Sequence, residues 1–195
     1  MKKFLFGIMC FLILIFKVNA EDIPLNAKSA ILIEESTGKV IYEKNADEQL
    51  HPASMTKIMS MILIFDAIDN NKISLDDEVQ ISKEASSMGG SQVFINEGET
   101  YKVEELLKGV AIASANDAVV ALAEKISGSK EKFVEEMNNK AKELGLKNTN
   151  FVNPHGLDAD NHYSSARDMS IMARELLKYK DVLKFTSKYE DYFKK

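Results

Sequence analysis

Ser54-Met55-Thr56-Lys57 places a hydroxyl and an amine three residues apart at the mouth of an apolar helix, and Ser114-Ala115-Asn116 adds a second hydroxyl and a carboxamide. Residues i and i+3 of a helix share a face, so the Lys57 amine lies within reach of the Ser54 hydroxyl. A serine becomes a nucleophile when an adjacent base takes its proton. A lysine can act as that base only when neutral, and burial and the positive end of a helix dipole both disfavour its charged form. Ser54 is therefore a candidate acyl-transfer nucleophile and Lys57 its proton acceptor. The same residues also fit a helix-capping serine with an exposed lysine, and their spacing does not choose between the two. Ser114 can relay a proton to a leaving group, and Asn116 can hold a substrate amide. Taken alone, that pair is more simply a capping serine followed by an asparagine turn.

The spacing is not rare in this chain. Ser-x-x-Lys occurs at Ser36/Lys39, Ser54/Lys57, Ser127/Lys130 and Ser129/Lys132. The first spans a turn with Gly38 and the last two flank Gly128, so those three read as solvated loop residues. Only Ser54 leads into an apolar run. From Ile58 to Ile68 nearly every residue is apolar. A segment of that length, apolar on all sides, is a buried helix.

The elements around it follow from pattern and punctuation. Ala30-Ile31-Leu32-Ile33 and Val40-Ile41-Tyr42 predict a hairpin that turns through Ser36-Thr37-Gly38. Asn70 to Glu99 is polar and turn-rich, with breakers at Met88-Gly89-Gly90-Ser91 and Asn96-Glu97-Gly98. Val103, Leu106, Leu107, Val110 and Ala111 keep helical spacing up to Ser114. Ala118, Val119, Leu122 and Ile126 form the next helix, stopped by Gly128. Phe133, Val134, Met137, Ala141 and Leu144 form another, ended by Gly145. A turn at Asn153-Pro154-His155-Gly156-Leu157 precedes the expected last helix, which starts near Ser165 with Asp168 as a cap partner. The expected order is a hairpin and then helices, with no later strand.

Composition narrows the chemistry. The 195 residues are 45% hydrophobic and 28% charged, as in globular proteins. Residues 1–20 combine Lys2 and Lys3, an apolar run from Phe4 to Phe16, and the small-residue end Val18-Asn19-Ala20. That is the layout of a signal peptide, too short and too interrupted by Lys17 for a membrane span. Residues 21–195 are then the exported domain. Removing three of the 25 basic residues leaves 22 against 30 acidic, a net charge of −8. No basic block with interleaved aromatics occurs, which argues against nucleic acid as a partner. Cys10, the one cysteine, lies in the signal, so no disulfide is expected. Three histidines, His51, His155 and His162, without carboxylates at ligand spacing, point to no metal and no cofactor. His155, in its Pro-His-Gly turn, reads as a structural residue.

Pro52-Ala53-Ser54-Met55-Thr56-Lys57-Ile58-Met59 closely resembles the active-site motif of serine D-alanyl-D-alanine carboxypeptidases, the low-molecular-mass penicillin-binding proteins of peptidase family S11. The resemblance continues, in the family's order, through Asn45-Ala46, Gly89-Gly90-Ser91 and Ser114-Ala115-Asn116-Asp117-Ala118. It extends through Phe133-Val134-x-x-Met137-Asn138, Leu144-Gly145-Leu146, Asn153-Pro154-His155-Gly156-Leu157 and Ser165-Ala166-Arg167-Asp168.

This resemblance implies a mixed α/β (α+β) chain of β-lactamase/transpeptidase-like fold, with an N-terminal hairpin beside a helical region. It implies Ser54 as acyl-ester nucleophile, Lys57 as proton acceptor, Ser114 as second catalytic hydroxyl and Asn116 as a substrate contact. The implied substrate is a peptidoglycan stem peptide ending in D-Ala-D-Ala, and β-lactam antibiotics are expected to acylate Ser54 by the same route. The implied location is outside the cytoplasmic membrane, in the envelope or secreted. A serine β-lactamase is the nearest alternative of the same fold, although Ser114-Ala115-Asn116 lacks the middle aspartate usual in its class A. The family's third motif, Lys-Thr-Gly on a later strand, does not occur after the final helix, because the last glycine is Gly156. Nor does a membrane-associating C-terminal region. The expectation is a chain truncated before the later strands, with little turnover unless they are supplied. The matching non-enzymatic alternative is a pseudoenzyme acting as a binding module.

Overall fold

The computed structural model describes residues 25–194, so the expected signal peptide and Cys10 lie outside the described residues. Strand β1, Ala30–Ile33, pairs antiparallel with β2, Val40–Lys44, with a register shift between Leu32 and Ile33. Gly38 makes the turn at φ +74°, as expected. A side chain there would strike the guanidinium of Arg174, which donates to the Glu35 carbonyl at 2.7 Å. The hairpin is thereby tied to the helix it covers.

A 3-10 turn, Ala53–Thr56, leads into α1, Lys57–Asp69. The helix is buried around its whole circumference, with Met59, Ile62 and Ile64 fully enclosed. It packs against α4, Asn116–Ser127; α5, Lys130–Glu143; and α6, Ala166–Leu176. This is the central helix that the apolar run predicts, and it has no wet face.

Two features of the polar stretch depart from expectation. Strand β3, Glu78–Gln80, pairs with β4, Thr100–Lys102, in a second two-stranded sheet. A one-turn helix α2, Lys83–Ser86, capped by Ser82, lies between them. Only Val79 and Tyr101 point inward from these strands. Three residues with one apolar member carry no visible alternation, and their pairing is non-local.

Helix α3, Val103–Ala113, stops where Ser114 takes the left-handed conformation at φ +56°. Helices α4 and α5 end as predicted, at Gly128 and just before Gly145. Ser165 caps α6 by accepting from the Asp168 N–H at 3.2 Å. The Asp168 carboxylate does not return that contact. It accepts from the Asn148 N–H and the Thr149 hydroxyl, both at 2.7 Å, and so pins the preceding loop. Helix α6 is not the last: α7, Val182–Thr186, follows and buries Val182 and Phe185 against α3. Among the described residues, no helix is long and apolar enough to cross a membrane.

Candidate active site

Lys57 is the first residue of α1 and only 3% exposed. That removes the alternative of an exposed lysine beside a capping serine. Its amine donates to Asn116 Oδ1 at 2.7 Å and to the carbonyl oxygen of His155 at 2.8 Å. Ser54 Oγ lies 3.5 Å from the same nitrogen, at the outer edge of hydrogen-bond reach. Catalytic contacts in ligand-free sites are often this long. Ser54 itself is exposed, and it sits in the 3-10 turn rather than in α1.

No carboxylate is among these partners, so no opposite charge offsets the cost of burying the ammonium. Burial alone brings Lys57 down from 10.5 to about 8. The geometry suits the neutral amine. Two carbonyl-type acceptors take two of its N–H bonds, and its third direction points to Ser54 Oγ, where the neutral amine would carry its lone pair.

The turn that carries Ser54 is held from below by the segment 150–162. Ser60 donates to the Pro154 carbonyl at 2.6 Å, one turn along from the Lys57–His155 contact. Asn153 Oδ1 accepts from the N–H groups of His155 and Gly156, and its Nδ2 donates to the Leu157 carbonyl. Gly156 has φ +91°, and a Cβ there would collide with the carbonyl of Ala53, immediately before Ser54. Ala53 is itself at φ +49°. Glycine is required at 156 because two backbones meet there.

Asn116 brings the third wall. Its N–H donates to the Ser91 carbonyl and its Nδ2 to the Gly89 carbonyl, both at 2.7 Å. Gly90, at φ +78°, leaves room for that carboxamide. Both ends of the Asn116 side chain are thus engaged, one on Lys57 and one on the 89–95 loop. Asp117, also buried, accepts from the N–H groups of Val93, Ile95 and Ala118 and holds the far end of the loop. An acid just ahead of the apolar run Ala118–Ala123 is the sequence sign of this clamp. Ser114 is half-buried at the end of α3, and its hydroxyl bonds neither Ser54 nor Lys57. The fold brings Ser54 and Asn116 to Lys57 and leaves Ser114 two residues before α4.

His155 contributes through its backbone, while its ring Nδ1 accepts from the Leu157 N–H at 3.2 Å. Burial, and then the charge on Lys57, hold this ring at about 4. Burial also lowers His162. Both rings therefore titrate below the ordinary 6.5, and the unfolded chain binds those protons first. Their contribution to stability is complete above pH 6.5 and is lost as pH falls, for His155 toward about 4. Urea midpoints are expected to drop over that window, with a shallower slope for His155→Asn; an unchanged slope contradicts the assignment.

Among the described residues, no group of three or more histidine, cysteine or acidic side chains is placed to hold a metal ion.

Residues 16–195 match the family model described as D-alanyl-D-alanine carboxypeptidase, peptidase family S11. The chain is similar to the D-alanyl-D-alanine carboxypeptidase DacF of Bacillus subtilis, 63% identical over 173 residues, covering 89% of this chain and 44% of that protein. The crystal structure of the D-alanyl-D-alanine carboxypeptidase DacD from Francisella tularensis superposes with a TM-score of 0.82 at 36% identity, covering 84% of this chain and 40% of that one. Penicillin-binding protein D2 from Listeria monocytogenes, in its ampicillin-bound form, gives a TM-score of 0.77 at 32% identity, covering 87% of this chain and 69% of that one. The chain spans less than half the length of the curated relatives it matches. Its mixed α/β architecture is that of the penicillin-binding proteins and transpeptidases. By sequence across nearly its whole length, and by the way α1, α4 and the 153–157 turn converge on Lys57, the chain belongs to the D-alanyl-D-alanine carboxypeptidase family.

Proposed function

We propose that this protein removes the terminal D-alanine from peptidoglycan stem peptides through an acyl-enzyme on Ser54. The observation that carries the reading is the buried Lys57 amine, held by two neutral acceptors with its third direction toward Ser54 Oγ. Neutral Lys57 takes the Ser54 proton as the oxygen attacks the carbonyl carbon of the D-Ala-D-Ala bond. Collapse of the tetrahedral adduct breaks the carbon–nitrogen bond. The proton passes from the Lys57 ammonium, through the Ser114 hydroxyl, to the departing D-alanine nitrogen. Water, deprotonated by Lys57, then cleaves the ester and frees the shortened peptide. Asn116 keeps Lys57 aimed and contacts the peptide amide at the same edge of the site.

A β-lactam enters by the same attack, its ring nitrogen taking the place of the leaving amine. The ampicillin-bound relative supports this part of the reading. We further place the protein outside the cytoplasmic membrane, with residues 1–20 as a cleaved signal and residues 21–195 within the catalytic domain. The substrate itself lies in the wall, which accords with that placement.

An acyl-D-Ala-D-Ala peptide incubated with the protein, the family's Lys-Thr-Gly strand supplied, is expected to release D-alanine, and Ser54→Ala to release none. Equal release by the two proteins contradicts the mechanism. N-terminal sequencing of the exported protein is expected to begin at Glu21.

A further inference from the structure

His162 is 1% exposed, lies 106 residues along the chain from Thr56, and takes no part in the proton transfers above. Its Nε2 is 2.8 Å from the Thr56 hydroxyl, and its Nδ1 is 3.0 Å from the Val152 backbone nitrogen. A backbone N–H can only donate, so Nδ1 must accept. The ring is then neutral with its hydrogen on Nε2, and Nε2–H donates to Thr56 Oγ1. The imidazole also packs against the Phe151 ring in a T-shaped pair, with centroids 5.9 Å apart. Both the tautomer and the orientation are set by the surroundings.

Thr56 is fully buried and lies between Ser54 and Lys57 in the 3-10 turn. That turn makes no side-chain cap of its own, and its Ala53 is at positive φ. Such a backbone persists only where its surroundings over-determine it. Gly156 supports the turn at Ala53, and the Thr56–His162 bond supports it on the other side of Ser54.

We propose that His162 is a positioning residue for the nucleophile: its Nε2–H, oriented by the Val152 N–H, holds Thr56 and so fixes the turn that presents Ser54 to Lys57. The proposal rests on Ser54 being the acylated residue. A protonated ring would set an Nδ1–H against the Val152 N–H and lose that contact. The charged groups that act on the ring are His51, which disfavours its protonation, and Asp158, which favours it; His155 interacts with it from the same segment.

Glutamine can reproduce the Nε2 donor and asparagine can occupy only the Nδ1 end, so the two variants separate the ring's roles. With the full-length protein and a fluorescent penicillin, His162→Asn is expected to slow acylation roughly 10- to 100-fold, the scale of a small misplacement of reacting groups. His162→Gln is expected to stay within about threefold of the unsubstituted protein. Thr56→Val should match His162→Asn, and the double variant should be no slower than either single one, because both act on one bond. Nitrogen NMR of the unsubstituted protein at pH 7 should show His162 protonated at Nε2 and bare at Nδ1. Full-rate acylation of His162→Asn, additive losses in the double variant, or the opposite tautomer each overturn the positioning role while leaving Ser54 as nucleophile. No labelling of the unsubstituted protein overturns both.

Discussion

Replacing Lys57 with methionine is expected to slow acylation of Ser54 by about 10²–10⁴-fold, the usual contribution of a positioned general base. Methionine keeps the length and apolar character of the lysine stem, so the buried volume is nearly conserved. What disappears is the nitrogen 3.5 Å from Ser54 Oγ. Arginine is expected to fail as badly, since a guanidinium stays protonated and has no lone pair to offer. In the proposed mechanism the working form is the neutral amine, and burial brings Lys57 to about 8. The acylation rate is therefore expected to rise with pH through about 8 and to fall about tenfold per unit below it. Stopped-flow acylation with a β-lactam, alongside thermal unfolding of each variant, checks both statements. A folded methionine variant that acylates at the normal rate contradicts the role of Lys57.

Gly156→Ala is expected to destabilise the protein by roughly 2–5 kcal/mol, the sum of a left-handed backbone penalty and an overpacking cost. The added carbon meets the carbonyl of Ala53, and backbone cannot move aside by changing rotamer. Relief requires the Ser54 turn to shift, so acylation should fall along with stability. Gly98 and Gly145 provide the comparison. They have φ of +81° and +72°, and a Cβ at either meets nothing within 4 Å. Alanine there should cost only the backbone penalty of about 1–2 kcal/mol and leave acylation unchanged. Urea unfolding of the three variants reads the difference; equal costs at all three positions contradict the collision.

Much of the scaffold was legible from the residues alone. Helix α1 could be read because nearly every residue from Ile58 to Ile68 is apolar, and α4 because Gly128 ends its periodicity. Ser165 announced α6. The β3–β4 pair was not legible, since its pairing joins Val79 to Tyr101 across the intervening loop and each strand has a single inward residue. Helix α7 is a five-residue element with no cap signal in its side chains.

The site divided along the same line. Ser54 and Lys57 were visible as a local spacing, and the family motif distinguished them from three similar spacings. Their surroundings were not visible. The His155 oxygen that receives Lys57 belongs to the backbone, which carries no residue-type signal. The resemblance implies Asn116 as a substrate contact, and no spacing announces that its carboxamide takes an N–H of Lys57 from 59 residues away. Thr56 sits inside the motif, but its partner His162 was one of three histidines with nothing in the sequence to single it out. Long-range hydrogen bonds set the environment of Lys57, and environment decides whether a lysine is a base.

The most direct test of Ser54 as the acylated residue is peptide mapping by mass spectrometry after brief exposure of the protein to a penicillin. One intact β-lactam in ester linkage is expected on the peptide containing Ser54, formed faster at pH 8 than at pH 6, and absent in Ser54→Ala. An adduct on any other residue, or a Ser54 adduct whose rate of formation is the same at both pH values, would contradict it.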